Sequence, residues 1–255
     1  MLYRPKAPAR MWDTTLYEEN GVFHVFYLAE GDIGHVTTTD FVSYTECPAI
    51  RDRGQKNAWN ETGMGLTGCV VKWQGCYRML LGSIDPVTRR QVYGLYTSPD
   101  LMAWTAYADN PVLEADGVLY DNIPDAADGG MFCAWRDPMV YDIRDGYAYL
   151  CLSARTPHPG PDSTGAAVAS VRTRDFIRFE HLPPLAEVGD RLKYAECPDC
   201  FVLDGSRYLL FLDHGWGGAR VHTLSREDAA GTFYMVQPGC RGDFQWPQAA
   251  AGNRR

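Results

Sequence analysis

Trp135-Arg136-Asp137-Pro138-Met139-Val140 sets an aromatic, a cation and a carboxylate directly before the apolar run Met139-Val140-Tyr141, near the middle of the chain. A polar turn, Arg144-Asp145-Gly146, ends that run, and Tyr147-Ala148-Tyr149-Leu150-Cys151-Leu152 supplies a second. A third, Val168-Ala169-Ser170-Val171, leads into Arg172-Thr173-Arg174-Asp175-Phe176. Short apolar or alternating runs bounded by Gly, Asp and Pro predict strands rather than helices.

The same unit occurs four times. Around the central copy lie Thr15-Leu16-Tyr17, a turn at Glu18-Glu19-Asn20-Gly21 and the run Val22-Phe23-His24-Val25-Phe26-Tyr27, with a tail Thr37-Thr38-Thr39-Asp40-Phe41. The next copy has Cys69-Val70-Val71-Lys72-Trp73, Gly75 and Tyr77-Arg78-Met79-Leu80-Leu81, with a tail Thr97-Ser98-Pro99-Asp100-Leu101. The last has Phe201-Val202-Leu203-Asp204-Gly205, then Tyr208-Leu209-Leu210-Phe211, with a tail over 221–233. The tail aspartates Asp40, Asp100, Asp175 and Asp228 recur every roughly 50–75 residues, the spacing of four-stranded blades plus loops. This predicts an all-β chain folded as a β-propeller over 1–235, and a tail over 236–255. A sandwich with recurrent hairpins is the weaker alternative. Only four blades are evident, so the ring has four blades or keeps an open edge, which favours association between copies.

The formal net charge is −8 and no basic stripe is visible, which argues against nucleic acid or an anionic membrane as partner. No run approaches the roughly 18 apolar residues of a membrane span. Met1-Leu2-Tyr3-Arg4-Pro5-Lys6 is not followed by an apolar signal region, and eight cysteines are too sparse for a disulfide scaffold. A cytoplasmic location is the expectation, and the sequon Asn60-Glu61-Thr62 carries little weight there.

Two other acids occupy positions like that of Asp137. Asp13 follows Trp12 ahead of the first unit, and Glu196 lies in Tyr194-Ala195-Glu196-Cys197-Pro198-Asp199, ahead of the last. First strands line the channel of a propeller, so Asp13, Asp137 and Glu196 should face one cavity from three sides. Each alone could equally be a turn carboxylate accepting backbone N–H bonds. Together they are the equipment for glycoside hydrolysis: one acid attacks or activates water, a second protonates the leaving oxygen, and a third grips sugar hydroxyls. The expected partner is an oligosaccharide or small glycoside, with no cofactor and no metal. Trp12, Trp59, Trp135 and Trp216 are candidate sugar platforms, Arg136 and His214 candidate channel residues, and Trp104 a core residue. Cys197-Pro198-Asp199-Cys200 lacks the two further ligands of a zinc site. The glycines at 215, 217 and 218 lack the Lys-Ser/Thr of a phosphate loop.

Arg136-Asp137-Pro138 and Glu196-Cys197-Pro198-Asp199, each followed by a strand, resemble two of the three signature motifs of glycoside hydrolase family 32. That family holds the invertases, levanases and inulinases, five-bladed propellers related to families 43 and 68. The tail Gly34-His35-Val36-Thr37-Thr38-Thr39-Asp40-Phe41 resembles its first blade, and the similarity spans roughly residues 11 to 233. The resemblance implies a β-fructofuranosidase-like, retaining enzyme. Glu196 would be the acid/base, with a raised pKa; Asp137 the transition-state stabiliser, with Arg136 beside it; and Asp13 the nucleophile. Met11-Trp12-Asp13-Thr14-Thr15 departs from the family's Asn-Asp-Pro-Asn-Gly. That keeps open a family 43-like arabinofuranosidase or xylosidase, and a non-catalytic carbohydrate-binding propeller.

Overall fold

Four two-residue turns, Asn20-Gly21, Gln74-Gly75, Asp145-Gly146 and Asp204-Gly205, each have both residues at positive φ. This is the signature of the turn whose twist matches an antiparallel strand pair, and Asn-Gly or Asp-Gly adopts it at least cost. Each joins the first two strands of one sheet. The structure, a computed structural model, describes residues 3–5, 11–123, 134–159, 163–213 and 231–247.

Blade 1 contains β1 (Trp12–Glu19), β2 (Val22–Ala29), β3 (Asp32–Thr38) and β4 (Thr45–Ile50). Blade 2 contains β5 (Leu66–Trp73), β6 (Cys76–Ile84), β7 (Gln91–Ser98) and β8 (Thr105–Ala106). Blade 3 follows with β9 (Trp135–Arg144), β10 (Tyr147–Arg155), β11 (Ala166–Thr173) and β12 (Phe179–Glu187), and blade 4 with β13 (Glu196–Leu203), β14 (Ser206–Asp213) and β15 (Gly231–Gln237). Each sheet is an antiparallel meander in sequence order, and the first strands pack β1 on β5, β5 on β9 and β9 on β13. The expected propeller of four repeats is the observed fold. Its expected boundary at 235 falls inside β15. Gln245 pairs with Val236 through two 2.8 Å backbone bonds, and Trp246 packs edge-on against Phe211, so residues 236–247 belong to blade 4.

The repeated tail has a physical reason. Oδ1 of Asp40 accepts the N–H groups of Val42 and Ser43, and Asp100 and Asp175 do the same two and three residues on. The hydroxyls of Thr38, Ser98 and Thr173 close each turn. The next residue, Phe41, Leu101 or Phe176, sits at positive φ. The aspartate side chain thus replaces backbone partners at a chain reversal. Asp228 lies outside the described residues.

Three apolar seams hold the blades together. Phe26, Leu28, Met79, Leu81 and Tyr96 fill the first; Val71, Leu80, Leu95, Leu150 and Val171 the second; Cys151, Val168, Leu209, Phe211 and Met235 the third. Each fully buried Leu, Val or Phe contributes about 1.5–3 kcal/mol. At the far end of the channel each seam also has a polar tie. Glu19 takes Lys72 Nζ at 2.6 Å and the Tyr77 hydroxyl, Trp73 Nε1 donates to the Arg174 carbonyl at 2.9 Å, and Arg207 reaches Asp142 at 3.4 Å. Blades 1 and 4 keep Leu16, Phe41, Phe201, Leu203 and Tyr234 exposed. Leu16 and Phe41 line an open groove of about 500 Å³ with Val25, Val36 and Tyr44.

Candidate active site

At the mouth of the channel every first strand is bulged. The register slips between Trp12 and Thr14, between Leu66 and Cys69, opposite the Cys151–Ser153 step, and between Glu196 and Asp199. Asp13 (φ 30°), Asp137 (φ 60°) and Cys197 (φ 46°) occupy the left-handed region there. Such residues cost about 1–3 kcal/mol each and persist where surrounding contacts over-determine them. A bulge re-aims side chains that a regular strand would send alternately to its two faces. The three acids were expected just before the strands. They lie within them, at the first three positions of β1, β9 and β13.

Thr14 and Thr15 from blade 1, Thr67 and Gly68 from blade 2, Asp137 from blade 3 and Cys197 from blade 4 line one cavity of about 200 Å³. Asp13 is exposed beside it and Asp137 is buried. Arg136, also buried, pairs through Nη2 with Glu196 Oε1 and lies with Nε 3.9 Å from Asp137 Oδ2. The Cys197 N–H donates to Asp137 Oδ2 at 2.9 Å, linking blades 3 and 4.

A further ring of residues supports these groups. Gln91 Oε1 accepts the Trp135 N–H at 2.9 Å, and the Tyr93 hydroxyl accepts the Asp137 N–H at 2.8 Å. Asp213 Oδ2, at the end of β14, accepts the N–H groups of Lys193 and Tyr194 at 2.8 and 3.1 Å, shaping the approach to Glu196. The Tyr194 ring has Arg136, Arg155 and Lys193 within 4.9, 5.0 and 5.1 Å of its centroid. Buried cations gain from an aromatic face when desolvated. Sequence reasoning passed over Gln91 and Tyr93, which belong to no motif. Tyr194 and Asp213 carried one signal each: adjacency to Glu196, and a carboxylate ending an apolar strand.

The candidate platforms divide. Trp12 is 42% exposed next to Asp13 and offers a ring to solvent. Trp135 is 0% exposed, packed against Tyr120 and His181, and cannot stack on a sugar. Trp59 packs into the seam of blades 1 and 2 against Gly94 on β7, away from the channel strands. Trp104 is in that same seam, as expected, edge-on to Phe26. His214 and Trp216 lie outside the described residues.

The surroundings of Asp137 raise the pKa of its carboxyl. Burial pushes that carboxyl up to about 6, against the Arg136 guanidinium and the Cys197 amide, while the charges of Glu196 and Asp13 act with burial. Between its ordinary 3.8 and about 6, folded Asp137 keeps a proton that the unfolded chain has released. Its contribution to stability is therefore present below about pH 4 and lost as pH rises through about 6. In urea titrations from pH 4 to 7, the stability of wild type relative to Asp137→Asn is expected to fall with pH by on the order of 2–3 kcal/mol. A flat difference would contradict this. Buried His35, lowered to about 4 by burial and then by His24 at 3.0 Å, works in the opposite sense and cancels in the difference.

Residues 13–238 match the sequence profile described as the glycosyl hydrolases family 32 N-terminal domain. A β-fructofuranosidase of rice (Oryza sativa subsp. indica), insoluble isoenzyme 7, is 26% identical over 260 aligned positions, covering 90% of this chain. This chain spans 39% of that relative's length. Among solved structures, inulosucrase from Halalkalicoccus jeotgali bound to kestose superposes with a TM-score of 0.69 at 19% identity, covering 96% of this chain and 70% of that one. A β-fructofuranosidase from Bombyx mori gives 0.66 at 20% identity, covering 92% and 48%. A levansucrase variant from B. subtilis gives 0.73 at 14%, covering 93% and 70%. At these identities the structural likeness is one of fold.

Proposed function

Because this chain belongs to glycosyl hydrolase family 32, we propose that it hydrolyses a β-fructofuranoside with retention of configuration. The observation that carries the reading is that blades 1, 3 and 4 meet at one cavity lined by Thr14, Asp137 and Cys197, the neighbours or members of the three acid positions, with Arg136 bridging Asp137 and Glu196. In the first step the Asp13 carboxylate attacks the anomeric carbon while Glu196 passes its proton to the departing oxygen. The C–O bond to the leaving sugar breaks as the bond to Asp13 forms. Water then attacks the fructosyl ester, Glu196 takes the water's proton, and Asp13 is released as carboxylate. Asp137, as the anion, accepts bonds from ring hydroxyls and offsets the developing oxocarbenium charge. Arg136 orients Glu196 and limits repulsion between it and the buried Asp137 carboxylate.

An oligosaccharide with terminal fructose is the favoured substrate. Kestose bound in the Halalkalicoccus enzyme and sucrose bound in a Bombyx mori variant support this class. The test is a panel of sucrose, a short inulin or levan oligomer, and nitrophenyl arabinofuranoside and xyloside. Fructose release with inert pentosides is the expected outcome. Release from the pentosides alone would replace the reading with arabinofuranosidase or xylosidase chemistry. Sugar binding without any turnover would leave a carbohydrate-binding propeller.

The exposed apolar side chains on blades 1 and 4 further support association between copies. Light scattering is expected to show mass rising with concentration, less so in Leu16→Asp or Phe201→Asp. A constant monomer mass would contradict it.

A further inference from the structure

Asp137 has no register partner in its own sheet. The pairing of β9 with β10 skips from Arg136 to Met139, and Asp137 stands in the break at positive φ. Its N–H is satisfied from another blade, by the hydroxyl of fully buried Tyr93 on β7, at 2.8 Å. The same hydroxyl donates its proton to the carbonyl of Thr67, at 3.0 Å. Thr67 and Gly68 form the bulge of β5 and line the central cavity. A Cβ on Gly68 would lie 1.9 Å from the Leu80 carbonyl oxygen, so this stretch of backbone admits no side chain at Gly68 and is held close to β6. One phenol therefore joins the bulge of blade 2 to the bulge of blade 3. Burial, with the Asp137 charge next, raises its pKa far above the ordinary value, so the hydroxyl keeps the proton it donates.

We propose that Tyr93 is a positioning residue for hydrolysis: its hydroxyl fixes the backbone of Asp137 and thereby the direction in which that carboxylate meets the sugar. The inference rests on the fructosidase reading given above. A misplacement of about 1 Å in such a group costs on the order of 100-fold in rate.

Tyr93→Phe removes one oxygen and retains the ring. Tyr120→Phe is a matched control, because the buried Tyr120 hydroxyl also bridges two backbone groups, donating to the Leu182 carbonyl at 2.5 Å and accepting the Ser170 N–H at 2.9 Å. Those groups belong to β12 and β11, not to the acids. On a fructoside that wild type hydrolyses, Tyr93→Phe is expected to lower kcat by about 10- to 100-fold with KM within about threefold. Tyr120→Phe should keep kcat within about twofold, with a comparable loss of folding stability in both. Equal kcat values in the two variants would overturn the inference while leaving the fructosidase reading intact. If wild type turns over no fructoside, that reading fails and the role in hydrolysis falls with it, and hydrogen exchange at the Asp137 amide then decides only whether the Tyr93 hydroxyl holds that backbone. Exchange at least about tenfold faster in Tyr93→Phe than in Tyr120→Phe supports that hold, and equal exchange overturns it.

Discussion

Asp13→Asn is expected to lower kcat for fructoside hydrolysis by about 10⁴-fold or more, because an amide is a far weaker nucleophile than the carboxylate proposed to attack. The fold should barely change. Asp13 is exposed, its φ is 30°, and Asn is among the few residues that tolerate the left-handed region. Folding stability should stay within about 0.5 kcal/mol of wild type. The pairing of these two results matters. Loss of activity together with loss of fold would say that Asp13 supports the bulge of β1. Loss of activity alone says that it reacts. The check is kcat by fructose release beside a urea titration of the same sample.

The second large effect is expected at Arg136. Its guanidinium is the cation seated against both Glu196 and Asp137, and it is buried. Arg136→Met would leave two carboxylates facing each other in low dielectric. Removing one partner of a buried ion pair costs about 3–5 kcal/mol, since the remaining charge has lost its compensation. The loss should shrink on acidification below about pH 6, where Asp137 takes up a proton. Arg136→Lys should recover little. Lysine keeps the charge but lacks the planar fork that reaches Glu196 while lying against the Tyr194 ring. Denaturation midpoints at pH 5 and pH 7 test this, with fructose release measured on the same samples. A midpoint unchanged at pH 7 would show that the pair carries no net stabilisation.

Much of this architecture is legible in the chain because propeller blades are built from local signals. Asn20-Gly21 and Asp145-Gly146 specify hairpins through φ preference alone, and Asp40, Asp100 and Asp175 specify their turns through bonds to residues two and three positions on. These depend on neighbours in sequence, so they can be read there. The acids Asp13, Asp137 and Glu196 are readable because repeat position stands in for spatial position. Other features depend on contacts distant in sequence. That Trp135 turns into the core toward Tyr120 and His181, rather than into the channel, follows from the bulge beside it, which reverses the alternation of a regular strand. Trp59 is drawn into a seam because Gly94 leaves room for an indole. Gln91 and Tyr93 lie on a third strand, 44 residues from the backbone groups they hold, and no local pattern marks them. The edge pairing of Gln245 with Val236 likewise needed the fold to be seen.

The central claim is that Asp13 attacks and Glu196 manages the proton. It is tested most directly by incubating Glu196→Gln with a fructosyl donor that has a good leaving group, then measuring the mass of the intact protein and of its peptides. Without the acid/base, such a donor can still fructosylate the enzyme, but hydrolysis of the ester is slow. The account predicts the addition of one hexosyl residue, carried by the peptide that contains Asp13 and absent when Asp13→Asn is added. Turnover of the donor with no adduct, or an adduct on any other residue, would contradict it.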